Sequence, residues 1–354
     1  MKNKITKKAI VALSGGIDSS VTALLLKQQG YEVIGLTGKM INSEAANTII
    51  SNAKRVADML NIKHVVFDAT EKFQEKVIDY FKNAYKNGQT PNPCIMCNEY
   101  IKWGILFDYA TQELQADVFA TGHYADIRCI DETYKLYPAK DTRKDQLYFL
   151  YRLGQEQLSK TIFPLYHYTK DEVKNIATEY NLPPKDSKES QDICFIQKPL
   201  TTKTYLLNEF KEQKGDFIDY TTGKKWGEHN GFYQYTIGQR KGIGIAAPYP
   251  LYVIDIDAEK NIVYVGKEEE NYGLKLTLTD TCWSYPQNKN EFDALVKIRY
   301  NMPHKKAKIK IGEIPTIEFY EPVNSITNGQ SGVIYDINDG HLIGGGIVQR
   351  MPKN

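Results

Sequence analysis

"AIVALSGGIDSSVTALLLKQQG", residues 9–30, decides how this chain folds. Residues 9–13 are apolar and read as a strand. Residues 18–30 read as a helix with Val21, Leu24 and Leu25 on one face, and Gly30 suits the position just past its end. Between them, Gly15 and Gly16 allow a tight turn that exposes backbone amides, and Ser14, Ser19 and Ser20 add hydroxyl donors. A helix N-terminus at the carboxyl end of a strand favours an anion, so the string predicts a phosphate or pyrophosphate site. Neither G-x-x-x-x-G-K-[ST] nor G-x-G-x-x-G is present. A bare Gly-Gly turn is usually structural; the full S-G-G-x-D-S string in this setting is more specific, and the nucleotide reading is preferred.

The alternation continues outward. "EVIGLTG" (32–38), "HVVFDA" (64–69) and "DVFATGH" (117–123) read as strands, and residues 46–60, 71–88 and 101–114 as helices. Such β-α repetition predicts a parallel sheet covered by helices. Residues 169–181 form a further helix opened by a capping box, Thr169 with Glu172 three on. After about residue 205 short β-rich runs take over. "LYVIDIDAEKNIVYVG" (251–266) is a hairpin candidate, and "ALVKIRY", "KAKIKIG", "PTIEFY" and "SGVIYD" are closely spaced strands that suggest a small barrel or sandwich. The expected organisation is an α/β domain (1–204), a small central β-rich domain (205–272) and a C-terminal β-barrel (273–354).

A length of 354 residues fits two or three domains, and 42% hydrophobic with 25% charged residues is ordinary globular composition. There is no apolar run long enough to span a membrane. The basic N-terminus precedes only about five apolar residues, short of the roughly 7–15 of a secretory h-region, so it reads as a first strand of a cytoplasmic protein. Five irregularly spaced cysteines argue against a disulfide scaffold. A net charge of +2 means that any nucleic-acid surface is local.

"TPNPCIMCN" (90–98) places Cys94 and Cys97 two residues apart. Such a pair serves as a zinc hook, a redox couple, an iron–sulfur ligand set or a nucleophile with a neighbour. Its surroundings narrow the choice. The S-G-G-x-D-S string resembles the loop of the N-type ATP-pyrophosphatases. "TPNPCIMCNEYIKWG", "ATGHYA", "KDQLYFLYRL", "QDICFI", "GQRKGIGI" and "GGGIVQR" follow the order and spacing of the tRNA-specific 2-thiouridylases, over essentially the whole chain.

The resemblance implies an adenine-nucleotide alpha-hydrolase-like first domain and a sulfurtransferase activity. The C2 oxygen of the wobble uridine in tRNAs for Lys, Glu and Gln is adenylated by ATP, with Mg2+, and replaced by sulfur. It implies ATP contacts at Ala12, Leu13, Ser14, Gly15, Gly16, Ile17, Asp18, Ser19, Gly38 and Gly122. Cys194 matches a persulfide carrier and Cys97 its catalytic partner. Contacts to tRNA fall on His123, Lys144, Asp145, Gln146, Arg299, Tyr300 and Gln330, with Asn92, Pro93 and position 94 beside the target base. A sulfur donor is also required: a cysteine desulfurase, a relay protein or sulfide.

Cys97 immediately precedes a predicted helix, whose dipole would lower its pKa from about 8.5. The chain departs from the family's commoner "TPNPD" by carrying Cys94. Three thiolates, Cys94, Cys97 and Cys194, suit a [4Fe–4S] cluster with one open iron; a persulfide route with Cys94 passive is the alternative. Structural zinc would need a fourth ligand from Cys129, Cys282 or a histidine. Cys129 and Cys282 otherwise read as inert. The basic stretch 297–310 is read as a phosphate-contacting surface over a plain solvated strand face, and residues 238–242 form a second basic candidate. The rival functions are a non-catalytic zinc-hook RNA-binding protein and another ATP-pyrophosphatase; an amidotransferase would need a glutaminase domain.

Overall fold

The computed structural model describes residues 6–182 and 193–351; Gln191 and Asp192 of "QDICFI" lie outside them. The first sheet holds β1 (Lys8–Ala12), β2 (Glu32–Lys39), β3 (Lys63–Asp68), β4 (Val118–Ala120) and β7 (Thr161–Ile162) in the order β3-β2-β1-β4-β7, all parallel. Both faces are covered. Ala9, Val11 and Leu13 join one buried cluster with Leu24, Val56 and Val173, while Ile10 joins another with Phe73, Trp103 and Phe119. This is why β1 is continuously apolar rather than alternating.

Two helices follow the opening strands: α1 (Ile17–Gln28) after β1, and α2 (Glu44–Met59) after β2, capped by Ser43. The helix Lys170–Glu179 carries the expected capping box: Thr169 N–H donates to Glu172 Oε2 at 2.6 Å, and Glu172 N–H to Thr169 Oγ1 at 3.2 Å. A hairpin that the sequence reading missed, β5 (Asp126–Ile130) with β6 (Thr133–Tyr137), follows the first half of this domain.

The helix expected over 101–114 is instead wound as π-helix, over Cys97–Leu106 and again over Tyr109–Glu113. Such winding is rare and occurs mostly as single turns, often at functional sites. The first stretch follows directly on the short helix Pro93–Met96 and is broken by a kink at Gly104, whose φ of -100° and ψ of -112° are not helical.

The central module pairs β8 (Gly215–Asp219), β9 (Lys225–His229), β10 (Tyr252–Asp257) and β11 (Ile262–Gly266) in the order β10-β11-β8-β9; β10 and β11 are the expected hairpin. The last module is a closed antiparallel barrel. Its strands β12 (Tyr272–Trp283), β13 (Glu291–Lys297), β14 (Lys305–Lys310), β15 (Thr316–Asn324), β16 (Ser331–Asp336) and β17 (Leu342–Arg350) run in the order β12-β15-β14-β13-β16-β17. Closure leaves no free edge, and Leu278, Val296, Ile309, Ile317 and Val348 fill the interior. Among the described residues, no helix is long and apolar enough to cross a membrane.

Several hydrogen bonds dock the barrel on the first domain, and two sets of them flank the Cys94–Cys97 segment. Gln330 Nε2 donates to the Thr90 carbonyl at 2.8 Å, and Thr90 N–H to the Asn328 carbonyl at 2.9 Å. The buried Arg152 guanidinium joins Glu99, two residues past Cys97, to the carbonyl and carboxylate of Asp280 on β12, both at 3.0 Å.

Candidate active site

The strand order reverses direction between β1 and β4, and a crevice at such a switch point is where open parallel sheets bind ligands. A cavity of about 320 Å³ opens there, beyond the carboxyl ends of β1, β2 and β4. Of the expected nucleotide contacts, Ala12, Leu13, Ser14, Asp18, Ser19, Gly38 and Gly122 line it. Gly15, Gly16 and Ile17 form the turn itself and do not line it. Gly15 has φ +72°, and a Cβ there would meet the Ala53 nitrogen at 2.6 Å. A Cβ on Gly122 would meet the Asp18 carbonyl carbon at 2.8 Å, so only glycine lets the loop after β4 reach the loop after β1.

The loop is held from within. Ser14 N–H donates to Ser19 Oγ at 3.2 Å, and Ser19 and Ser20 hydroxyls donate to the Gly16 carbonyl at 3.1 and 2.8 Å. Gly16 is the N-cap of α1 and supplies no side-chain cap, which leaves the first amides of α1 for a ligand. Asp18 receives the Lys170 ammonium on both carboxylate oxygens at 2.7 Å and the Tyr124 hydroxyl at 2.9 Å. Lys170 is almost wholly buried, and its backbone N–H donates to Asp141 Oδ2 at 3.1 Å.

Further lining comes from Leu36, Thr37, Met40, Ile49, Lys102, Leu106 and Thr121, none of which the sequence reading proposed. Two residues assigned there to tRNA, His123 and Gln146, also line the cavity. His123 is buried beside Trp103, its Nδ1 sharing a hydrogen bond of 2.7 Å with Thr121 Oγ1. Burial first, then the Lys102 charge, holds its pKa well below the usual 6.5, so its imidazole is neutral.

The three cysteines come together. Cys97 lies within electrostatic reach of Cys94 and Cys194, and the Lys102 ammonium faces all three. Their sulfurs are not gathered tightly enough for one ion: among the described residues, the only His/Cys/Asp/Glu trio with ligand atoms within 4.8 Å of one another is Asp336, Asp339 and His341. Neither Cys129 nor Cys282 is among the charges acting on the three. Cys129 is exposed on β5.

The expectation of a lowered Cys97 pKa is overturned. Desolvation pushes Cys97 up to about 12 and Cys194 up to about 11, and raises Cys94 as well. Cys94 and Cys194 are exposed, yet enough protein crowds their thiols for desolvation to outweigh the Lys102 charge. Cys97 also begins the π-helix as a continuation of the turn Pro93–Met96 rather than at a free N-terminus, so it meets no exposed amides.

The residues expected to touch tRNA crowd the same rim. Asn98 Nδ2 donates to the Phe149 carbonyl at 2.9 Å, and the Phe149 ring packs on Tyr300 at 4.6 Å. That contact brings the barrel's Tyr300 next to the cysteine helix. Asn92 is the N-cap, and Pro93 the first residue, of the turn that carries Cys94. Gln146 accepts the Tyr124 N–H at 3.0 Å. The Lys144 N–H donates to the Asp141 carbonyl at 2.9 Å.

Two of the expected contacts are occupied within the protein. Asp145 accepts the backbone N–H groups of Leu147 and Ala139 at 3.2 and 3.4 Å, and burial pushes its pKa up to about 6. Arg299 donates to the Ile237 carbonyl at 2.8 Å and to Thr327 Oγ1, which joins the central module to the barrel; its Nε is buried without a partner. In the basic stretch, Lys308 pairs with Glu291 at 2.9 Å and Lys305 with Glu321 at 3.5 Å, while Ala307 and Ile309 point inward.

Three family models match in succession: "tRNA methyl transferase HUP domain" over residues 7–198, "tRNA methyl transferase PRC-barrel domain" over 203–267, and "Aminomethyltransferase beta-barrel domain" over 274–348. Among curated relatives, the tRNA-specific 2-thiouridylase of Treponema denticola is 42% identical over 98% of this chain and 99% of its own length. That of Syntrophomonas wolfei is 43% identical over 96% and 99%. A solved structure of the U34-tRNA thiolase NcsA from Methanococcus maripaludis with its [4Fe-4S] cluster is 20% identical, covering 55% of this chain and 64% of that one at TM-score 0.35. The chain belongs to the tRNA-specific 2-thiouridylase family.

Proposed function

We propose that the protein is an ATP-dependent sulfurtransferase that makes 2-thiouridine at the wobble position of tRNAs for Lys, Glu and Gln in the cytoplasm. One observation carries the reading. One π-wound stretch, Cys97 to Trp103, brings Cys97 to the cysteine group and Lys102 to the wall of the nucleotide cavity, and beyond the kink at Gly104 Leu106 lines the same wall. Activation by ATP and delivery of sulfur therefore happen on two sides of one element.

The chemistry runs in two displacements. The uridine C2 oxygen attacks the α-phosphorus of ATP and pyrophosphate leaves, which turns a poor leaving group into an adenylate. Sulfur then attacks C2 from the side of the cysteines, and AMP leaves with the oxygen. The turn at Gly15 and Gly16 and the amides of α1 hold the phosphates. Mg2+ bound with ATP would be held mainly by phosphate oxygens and water, because Asp18, the one carboxylate among the described lining residues, is engaged by Lys170 and Tyr124. The target base leaves its stack to reach the site, past Tyr300 and Phe149, whose rings offer stacking surface. The division at 204/205 and 272/273 goes with this reading.

Three thiols that sense one another but are too dispersed for a single zinc ion fit a [4Fe–4S] cluster, with Cys94, Cys97 and Cys194 as its protein ligands. When bound, it supplies an open iron that can hold the sulfur to be transferred. The test is iron and acid-labile sulfide content with visible absorption, on anaerobically purified protein and a Cys94→Asp variant. About four irons per chain in the parent, lost with thiolation in the variant, is the expected result. No iron under reconstituting conditions, with thiolation intact, would return the sulfur to a persulfide on Cys194 resolved by Cys97.

On the RNA side, removing the charges of Lys305 and Lys306 should weaken tRNA binding and reduce the slope of log affinity against log salt by up to about 2. The Lys305–Glu321 pair is exposed and weak, so it does not withdraw Lys305 from a phosphate. An unaltered slope would make the stretch an ordinary strand face.

A further inference from the structure

Among the described residues, Lys102 is the one lysine or arginine lining the nucleotide cavity. Every other charged group near the loop is engaged: Asp18 is held by Lys170 and Tyr124, and Lys170 is spent on Asp18. The Lys102 side chain makes no hydrogen bond or ion pair with another described residue.

Its placement follows from the winding of its helix. In an α-helix, residues five apart point about 140° away from each other at 3.6 residues per turn. In the wider π-helix, whose hydrogen bonds run from i to i+5, residue 102 comes back to the same side of the helix as residue 97, offset from it rather than directly above. Lys102 thereby faces the cysteines on one side and the loop residues Ser14, Asp18 and Ser19 on the other. The neutral His123 beside it adds no competing charge.

Resting on the sulfurtransferase reading above, we propose that Lys102 is a catalytic residue: its ammonium holds the α-phosphate of the nucleotide through both displacements. In the first, the bond from the uridine oxygen to the α-phosphorus forms as the bond to the pyrophosphate oxygen breaks. In the second, the carbon–sulfur bond forms as the carbon–oxygen bond breaks, and AMP departs. Lys102 neutralises the phosphate in each step and transfers no proton. Its position between cavity and thiols also sets where the adenylated base must lie for sulfur to reach it.

The test uses the full chain with tRNA, as Lys102→Met and Lys102→Arg. The readouts are single-turnover pyrophosphate release, affinity for a non-hydrolysable ATP analogue, and tRNA affinity. Lys102→Met should slow pyrophosphate release by about 10²-fold or more, the loss usual for removing one preorganised charge-stabilising group. Analogue and tRNA affinities should stay within about threefold, because the interaction strengthens as charge moves onto the α-phosphate. Lys102→Arg should recover part of the rate, which also excludes misfolding as the cause. Unchanged pyrophosphate release overturns the proposal, and so does a loss of analogue affinity as large as the loss of rate. Parent protein that releases no pyrophosphate with any tRNA would overturn the sulfurtransferase reading and this role with it, whereas a fully active Lys102→Met overturns the role alone.

Discussion

Replacing Cys194 with alanine is expected to abolish 2-thiouridine formation and leave tRNA affinity within about twofold. Cys194 is exposed, in a short segment that rests on the core through its neighbours Phe195 and Ile196. Removing its sulfur therefore opens no cavity, and a surface change of this kind usually alters stability by no more than about 0.5 kcal/mol. The tRNA surface on the barrel and on the rim around Phe149 and Tyr300 is untouched. Nucleoside analysis of digested tRNA, beside filter binding, reads both quantities; thiolation by the variant at the parent rate would end the role given to Cys194.

Asp18→Ala should have the second largest effect, and through two separable causes. It strips the loop of its carboxylate, and it deprives the buried Lys170 ammonium of both of its 2.7 Å contacts to Asp18. Removing one partner of a buried pair costs about 3–5 kcal/mol. Asp18 is one-third exposed, so a loss of about 2–3 kcal/mol is the better expectation here. Adding Lys170→Met should restore most of the thermal stability, because an apolar side chain replaces a buried charge deprived of Asp18. It should not restore tRNA-dependent pyrophosphate release. A double variant that turns over ATP like the parent would remove Asp18 from the nucleotide site.

The parts of this molecule legible in its sequence are those fixed by local rules. The apolar run before Ser14, the helical spacing after it, the Thr169–Glu172 box and the alternation of Lys306, Lys308 and Lys310 with Ala307 and Ile309 each follow from neighbours a few residues apart. What stayed hidden depends on long-range geometry. The hairpin of β5 and β6 turns on Asp131 and Glu132, both with positive φ and neither a glycine, so the usual turn signal is missing. Lys102 falls five residues from Cys97, a spacing that places them on different faces unless the helix is π-wound, and no residue pattern announces that winding.

Electrostatics misled for a similar reason. A helix-start argument about Cys97 weighs only its own element, whereas its pKa is set by the other segments that desolvate it. Arg299 shows the same blindness. Its charge reads as an RNA contact, while the fold turns it inward to join Ile237 and Thr327.

The bond from Gln330 to Thr90 bears on how the protein is made. Ribosomes deliver residue 90 long before residue 328, and the barrel closes only when β17 pairs with β12. Until then the N–H and carbonyl of Thr90 lack their partners on Asn328 and Gln330, and Arg152 lacks Asp280. A nascent chain can build its nucleotide loop early, whereas the segment leading into Cys94 gains its bonds to the barrel only after residue 330 has been made. A chain that stops short of residue 328 lacks both of these bonds to Thr90.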